Sequence, residues 1–125
     1  MDLSSPIKHP KNTVIIKEGS IKPYSMYIIL SGSARVVKDY GKSEQKIVGT
    51  LGAGDLFGET SLLMSKPRNA TVVTKEETLV LEITQENFFE FNKNNPQLIL
   101  GILKTLCVRI ETLNEKVRLA TFNYL

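Results

Sequence analysis

The stretch GDLFGETSLLMSKPRNATV, residues 54–72, is the most informative part of this chain of 125 residues. It places an acid, Glu59, and a base, Arg68, around a short segment that begins at Gly58. Glycine lets the backbone turn tightly and approach a ligand closely, because no side chain stands in the way. Residues 59–65 can form about two helical turns, and the first N–H groups of such a helix are available to an anion. The stretch therefore predicts a site for a small anionic ligand.

The acid and the base suit different parts of a nucleotide. The planar guanidinium of Arg68 can grip two phosphate oxygens and stays charged at any relevant pH. The carboxylate of Glu59 only accepts hydrogen bonds, so its natural partner on a ligand is a hydroxyl such as that of a ribose. The alternative is a solvated ion pair on a loop, which contributes little. The stretch also has glycines, Phe57 and Pro67 at matching spacings around Glu59 and Arg68. This combined pattern favours ligand binding over an isolated ion pair.

These residues resemble the phosphate-binding cassette of cyclic nucleotide-binding domains. The resemblance begins near residue 13 and runs to the end of the chain, and it rests on Lys17-Glu18-Gly19, residues 27–33, residues 52–55, Phe57-Gly58-Glu59, Ser61-Leu62, Pro67-Arg68 and Ala70-Thr71. It implies that Glu59 binds the ribose 2′-hydroxyl, and that Arg68 and nearby backbone amides bind the cyclic phosphate. The predicted ligand-binding residues are Gly58, Glu59, Thr60, Ser61, Arg68, Asn69, Ala70 and Asn114.

The choice of nucleotide depends on Asn69. The family often has Ala, Ser or Thr at this position, and a Thr there is associated with a preference for cGMP. Asn69 has no hydroxyl, although its amide can still donate a hydrogen bond. This departure weakens the case for cGMP and leaves the choice of ligand open. The predicted ligand is cAMP, with cGMP less favoured, and no prosthetic cofactor is expected.

Short runs rich in β-branched residues, with turn signals between them, predict a mainly β fold. The predicted strands are residues 13–17, 26–31, 34–38, 45–51, 70–74 and 78–83. Gly32-Ser33 is interpreted as a two-residue hairpin turn. Such a pattern is typical of a barrel or sandwich, and the resemblance implies a jelly-roll β-barrel (double-stranded β-helix) with a short phosphate-binding helix and a long C-terminal helix. We expect an irregular lead over residues 1–12, the jelly roll with a short following helix over 13–95, and the C-terminal helix over 96–125.

Asn95 and Pro96 predict the start of that last helix, which can run to about Ala120. Its apolar residues recur as heptad a and d positions, which with β-branched a and Leu d residues favour a parallel two-stranded coiled coil. The a positions are Leu103, Ile110 and Val117, the d positions are Ile99, Leu106 and Leu113, and Ala120 and Tyr124 continue the stripe. The first part of the stripe could instead cover the jelly roll. The stretch beyond Arg109 predicts a homodimer.

From residue 68 onward, the chain resembles the ligand domain and dimer helix of catabolite activator-type bacterial regulators. In those proteins, polar residues halfway along the helix reach the purine, one from each subunit, and Asn114 stands at such a position. The neighbouring position, usually a hydroxyl residue, is Leu113. Asn114 could equally be a polar e position beside the seam. No DNA-recognition helix follows the dimer helix in this sequence, so direct DNA binding by the chain is not expected.

Composition and single residues bear on the remaining functions. The net charge of +3 and pI near 9.0 are too mild to indicate nucleic acid. The lone Cys107 allows no internal disulfide, and no apolar stretch reaches the ~20 residues that span a bilayer, so a cytoplasmic protein without a membrane partner is expected. A metal-dependent jelly-roll enzyme would need several His and carboxylate ligands. The only histidine, His9, is interpreted as a solvated loop residue, so no metal site and no enzyme are predicted.

The prediction is thus a cyclic nucleotide sensor domain that signals through its C-terminal helix. Two alternatives share its fold: a ligand-free dimerisation module and a truncated effector domain of a transcription regulator.

Overall fold

The computed structural model describes residues 5–123, and the side chains of residues 5–118. Eight strands and three helices follow one another along this part of the chain. They are β1 (Ile7–His9), β2 (Val14–Ile16), β3 (Met26–Ser31), β4 (Ser33–Lys38), β5 (Lys46–Gly52), β6 (Leu56–Phe57), α1 (Glu59–Met64), β7 (Thr71–Thr74), β8 (Thr78–Ile83), α2 (Gln85–Asn94) and α3 (Gln97–Asn123). The chain divides after Phe91 into two compact units. The first holds the strands and α1, and the second holds α3.

Two antiparallel four-stranded sheets form the first unit. The strand order is β1-β8-β3-β6 in one sheet and β2-β7-β4-β5 in the other. The core comes from the facing sides of both sheets, because β-branched and aromatic side chains alternate inward along the strands. Its central cluster of buried residues consists of Tyr27, Ile29, Phe57 and Val80 from the first sheet and Ala34 and Val72 from the second. The predicted jelly roll with a short helix and a long C-terminal helix is confirmed.

The segment at Gly32 differs from the predicted hairpin. Gly32 has the expected positive φ of 94°, but β3 and β4 lie in different sheets and do not pair. A Cβ on Gly32 would come within 2.5 Å of the Glu77 carbonyl oxygen and 2.6 Å of Thr78 Oγ1. The glycine therefore carries the chain across from one sheet to the other, under the turn before β8. A glycine with positive φ suits both a hairpin and a crossing between sheets. Which of the two forms depends on the distant strands with which β3 and β4 pair.

Two short strands fall where none was predicted. β1 lies within the segment expected to be irregular and pairs with β8, with His9 opposite Thr78. His9 is therefore a half-buried strand residue, and its interpretation as a solvated loop residue is corrected. β6 pairs with β3 through Leu56 and Phe57. Strands of three and two residues have no readable alternation, since their place depends on backbone hydrogen bonds to a neighbour.

The helix α3 spans 27 residues and begins one residue later than predicted, after Pro96. The predicted seam side chains of Ile99, Leu103, Ile110, Leu113 and Val117 are exposed in the single chain, and that of Leu106 is half-buried. Tyr124 lies outside the described residues, as does the side chain of Ala120. Within residues 5–123, no helix combines the length and the apolar character needed to cross a bilayer.

Candidate functional site

The cassette, which we define as residues 58–71, opens with a left-handed residue that starts α1. Gly58 has φ 81° at the N-terminus of the helix, and Glu59 lies in its first turn. The next turn brings Leu62 N–H to the Gly58 carbonyl at 3.3 Å. Ser65 ends the helix in a second left-handed conformation. The predicted short helix is confirmed at residues 59–64.

The backbone at Gly58 also passes close to other residues of the site. A Cβ at this position would lie 2.8 Å from Arg68 Nη1 and 2.9 Å from the Ser25 carbonyl oxygen. Both distances are shorter than a carbon side chain tolerates. The residue must be glycine for its φ and for its neighbours.

Arg68 is buried, with 5% of its surface exposed, although it carries a positive charge. Its guanidinium donates to two backbone carbonyls, that of Gly58 at 3.2 Å through Nη1 and that of Pro23 at 2.7 Å through Nη2. No carboxylate among the described residues lies within ion-pair distance of this guanidinium. The side chain is therefore held by neutral acceptors, which position the cation without neutralising it.

The backbone of Arg68 is held as firmly as its side chain. The Gly19 N–H donates to the Arg68 carbonyl at 2.7 Å, and the Arg68 N–H donates to the Ser20 carbonyl at 3.0 Å. Together with the bond to Pro23, these contacts attach Arg68 to residues 19–23. A cavity of about 260 Å³ adjoins this segment and is lined by Lys22, Tyr27 and Arg68, among others.

The aromatic ring of Tyr27 lies beside the guanidinium. Arg68 Cζ is 5.7 Å from the ring centroid, within the range of a cation–π interaction. Tyr27 stacks on Phe57 with centroids 5.0 Å apart. Its hydroxyl donates to Glu82 Oε2 at 3.4 Å, and Ser25 Oγ donates to the same oxygen at 2.7 Å. Sequence reasoning missed this group, since Tyr27 was visible only as part of the resemblance and Glu82 as part of a strand.

Burial shifts the pKa of both Tyr27 and Arg68. Loss of solvent raises the pKa of Tyr27 to about 12, and the nearby Glu82 carboxylate acts in the same direction. Burial lowers the pKa of Arg68, while Tyr27 and Glu82 oppose this shift. An arginine starts from so high a pKa that it remains charged near neutral pH.

The other predicted residues divide into buried and exposed. Glu59, Ser61 and Ala70 are buried in the first unit, Glu59 with 3% of its surface exposed, whereas Thr60 and Asn69 are exposed. Lys38, which was not predicted, donates to the Asn69 carbonyl at 2.5 Å. Asn114 is an exposed residue of α3, in the second unit. In the part of the chain that the structure describes, no three His, Cys, Asp or Glu side chains converge as metal ligands would.

Comparison with known proteins agrees with this geometry. The family profile described as "Cyclic nucleotide-binding domain" matches residues 6–95. The chain belongs to this family. The resemblance inferred from the cassette is thereby confirmed, and the domain is a cyclic nucleotide-binding regulatory domain.

The similarity to bacterial cyclic AMP receptor proteins extends over most of the domain. It is 25% identical to the cyclic AMP receptor protein of Thermus thermophilus over 114 residues, which are 91% of this chain and 52% of that protein. It is 32% identical to potassium channel AKT2 of Oryza sativa subsp. japonica over 95 residues, 76% of this chain and 11% of the channel. The crystal structure of the Thermus thermophilus catabolite activator protein superposes with a TM-score of 0.79 at 24% identity, covering 95% of this chain and 55% of that one. The domain thus spans about half the length of the bacterial relative.

Proposed function

We propose that the domain is a cAMP sensor in which Arg68 binds the cyclic phosphate and Glu59 the ribose 2′-hydroxyl. The observation that carries this proposal is the buried cation of Arg68. Burying a charge without an ion-pair partner in contact is expensive. Among the described residues, the guanidinium bonds to carbonyl oxygens and lies beside an aromatic ring, and Glu82 acts on it only from beyond ion-pair distance. An anionic ligand would supply an opposite charge in direct contact.

The donor inventory of Arg68 is compatible with such a ligand. A guanidinium has five N–H donors, and its two bonds to carbonyls occupy two of them among the described residues. The remaining donors can serve phosphate oxygens. Gly58, Thr60, Ser61, Asn69 and Ala70 are proposed as neighbours that complete the phosphate contacts.

The preference for cAMP over cGMP rests on two supports. Asn69 lacks the hydroxyl that a Thr would present at that position. The Thermus thermophilus relative is named a cyclic AMP receptor protein. Asn114 is proposed to contact the purine.

We also propose that α3 transmits occupancy of the site by pairing with α3 of a second copy. Exposed apolar side chains on its heptad seam support this. Catalysis, direct DNA binding and membrane binding are not part of the proposal, and a cytoplasmic location stays a prediction. The alternative is a ligand-free dimerisation module. It has the same fold as the proposed cAMP sensor and differs from it only because it binds no nucleotide.

Calorimetric titration with cAMP and cGMP tests the proposal. Arg68→Ala removes two charge-assisted hydrogen bonds of roughly 1.5–3 kcal/mol each and should weaken cAMP binding at least tenfold. Arg35→Ala removes the same charge from an exposed position of β4 and is the matched control. Equal affinity of the folded Arg68→Ala protein and the wild type would refute the assignment of Arg68.

The ribose contact needs a second titration. Glu59→Gln should weaken binding less, because the amide oxygen still accepts from a hydroxyl. Titration with 2′-deoxy-cAMP then completes a double-mutant cycle, and most of the difference between Glu59→Gln and the wild type should disappear. If that difference persists, Glu59 does not bind the 2′-hydroxyl. Absence of binding heat with both nucleotides would favour the ligand-free module.

A further inference from the structure

Lys38 lies at the end of β4, outside the cassette, yet it contacts the cassette backbone. Its ammonium donates to the Asn69 carbonyl at 2.5 Å, across 31 residues of sequence. A hydrogen bond from a charged donor is stronger than a neutral one. Lys38 is therefore tied to the residue that follows Arg68.

The acceptor belongs to a peptide group that also carries a predicted ligand donor. The carbonyl of Asn69 and the N–H of Ala70 are parts of one planar trans peptide, so they point in opposite directions. A cation that fixes the carbonyl also fixes the direction of the N–H. It polarises the peptide as well, which makes the N–H a better donor to an anion.

Lys38 is itself held in place by Glu18. Its ammonium lies 3.3 Å from Glu18 Oε2, and the Asp39 N–H donates to Glu18 Oε1 at 2.9 Å. The bond from Asp39 and the proximity of Lys38 lower the pKa of Glu18, so its carboxylate is charged. The Glu18 N–H donates to Thr71 Oγ1 at 3.0 Å, at the start of β7. The turn after β2, the end of β4 and the end of the cassette are thereby joined in one hydrogen-bonded cluster.

We propose that Lys38 is a positioning residue for the anion site, which holds the Asn69–Ala70 peptide so that the Ala70 N–H faces the ligand phosphate. This inference rests on the proposed function, because it assigns the Ala70 N–H to the same cyclic phosphate that Arg68 binds. Lys38 touches no ligand in this role. Its contribution passes through the Asn69 carbonyl and is supported by Glu18.

Lys38→Met is the test variant, because Met keeps the length of the chain and removes the donor. Lys42→Met is its matched control: Lys42 is exposed in the turn between β4 and β5 and acts on Glu18 only through its charge, and among the described contacts its side chain makes no hydrogen bond to the cassette. Lys38→Arg retains a charged donor and should restore most of the effect. All variants are first compared with the wild type by urea unfolding, so that a loss of stability is measured separately.

The first readout needs no ligand. In ¹H–¹⁵N spectra of the ligand-free protein, Lys38→Met should shift the Ala70 amide resonance, whereas Lys42→Met should leave it in place. The second readout is calorimetric titration with cAMP, in which Lys38→Met should bind roughly three- to tenfold more weakly, as for the loss of one hydrogen bond. Lys42→Met should bind as the wild type does.

The outcomes separate this inference from the proposed function. An unmoved Ala70 resonance in Lys38→Met, or unchanged cAMP affinity beside a wild type that binds, overturns the role of Lys38 alone. A merely structural role would lower the free energy of unfolding and leave both readouts unchanged, which also overturns it. A wild type that binds neither cAMP nor cGMP overturns the proposed function, and with it the assignment of the Ala70 N–H to a phosphate.

Discussion

The cassette and α3 depart from ordinary burial in opposite ways. In the cassette, Glu59 and Arg68 are charged residues with no more than 5% of their surface exposed. In α3, Leu113 and Val117 are apolar residues with 59% and 64% exposed in the single chain. Charged residues are seldom fully buried, and a contiguous exposed apolar stripe marks an interaction surface.

The difference lies in where each region finds its partners. Arg68 is held by carbonyls of its own unit, so the cassette is already ordered for a ligand. Such preorganisation improves affinity, because less ordering is left for the binding step. The apolar seam of α3 needs a second apolar surface to become buried. Under the proposed function, the first region accepts a small anion and the second accepts a helix.

The largest effect is expected on the α3 side of this comparison. Ile110→Lys combined with Leu113→Lys places like charges in the seam and removes four apolar side chains from a dimer, each contributing roughly 1.5–3 kcal/mol when fully buried. We expect sedimentation to show a folded monomer. Val108→Lys is the control, because Val108 is equally exposed, at 61%, but lies at the outer f position of the heptad. A wild type that is monomeric at high concentration would end the coiled-coil interpretation.

In the cassette, the largest effect is expected from Gly58→Ala. In Gly58→Ala, the left-handed backbone costs about 1–2 kcal/mol, and the contacts with Arg68 Nη1 and the Ser25 carbonyl add about 1–3 kcal/mol. Urea unfolding should therefore show a loss of about 2–5 kcal/mol, together with weaker cAMP binding. Gly54→Ala has a similar φ of 90° with nothing within 4 Å of the new Cβ, so it should lose only the backbone part. Equal losses in the two variants would mean that the Gly58 contacts are relieved at little cost.

The sequence predicts features within one continuous stretch better than contacts between residues that are far apart in the chain. The family and the short helix could be predicted because the cassette is one continuous stretch, and α3 could be predicted because its period is local, while the ligand roles of Glu59 and Arg68 stay predictions. Pro23 holds Arg68 from 45 residues away, and Lys38 holds Asn69 from 31 residues away. Such contacts depend on which strands meet, which no local pattern records. The same reason explains the missed β1 and β6 and the incorrect hairpin at Gly32.

A change of pH should act on Tyr27 of β3, whose ring lies beside the guanidinium of Arg68. The pKa of Tyr27 is about 12 in the folded protein and near 10 in the unfolded chain, so between these values the unfolded state loses a proton that the folded state keeps. Stability contributed by the protonated phenol is present below pH 10 and is lost as the pH rises towards 12, by at most about 3 kcal/mol. Tyr27→Phe should flatten this part of the pH profile of unfolding, while Tyr40→Phe, at an exposed tyrosine, is the control. Parallel profiles for Tyr27→Phe and the wild type would contradict the shift.

The smallest expected effect connects the two regions. If Asn114 contacts the purine in a dimer, ligand binding and dimerisation share a coupling free energy that acts equally in both directions, so cAMP should tighten the dimer. Asn114→Ala removes one neutral hydrogen bond while Glu59 and Arg68 still hold the sugar and phosphate. We expect cAMP binding to weaken by about 1 kcal/mol, and the effect of cAMP on dimer dissociation to shrink by the same amount. Thr112→Ala, at a neighbouring exposed polar residue, is the control. If Asn114→Ala binds cAMP normally and its dimer responds as the wild type does, Asn114 is a solvated residue beside the seam, and the cassette and α3 function without a shared contact to the base.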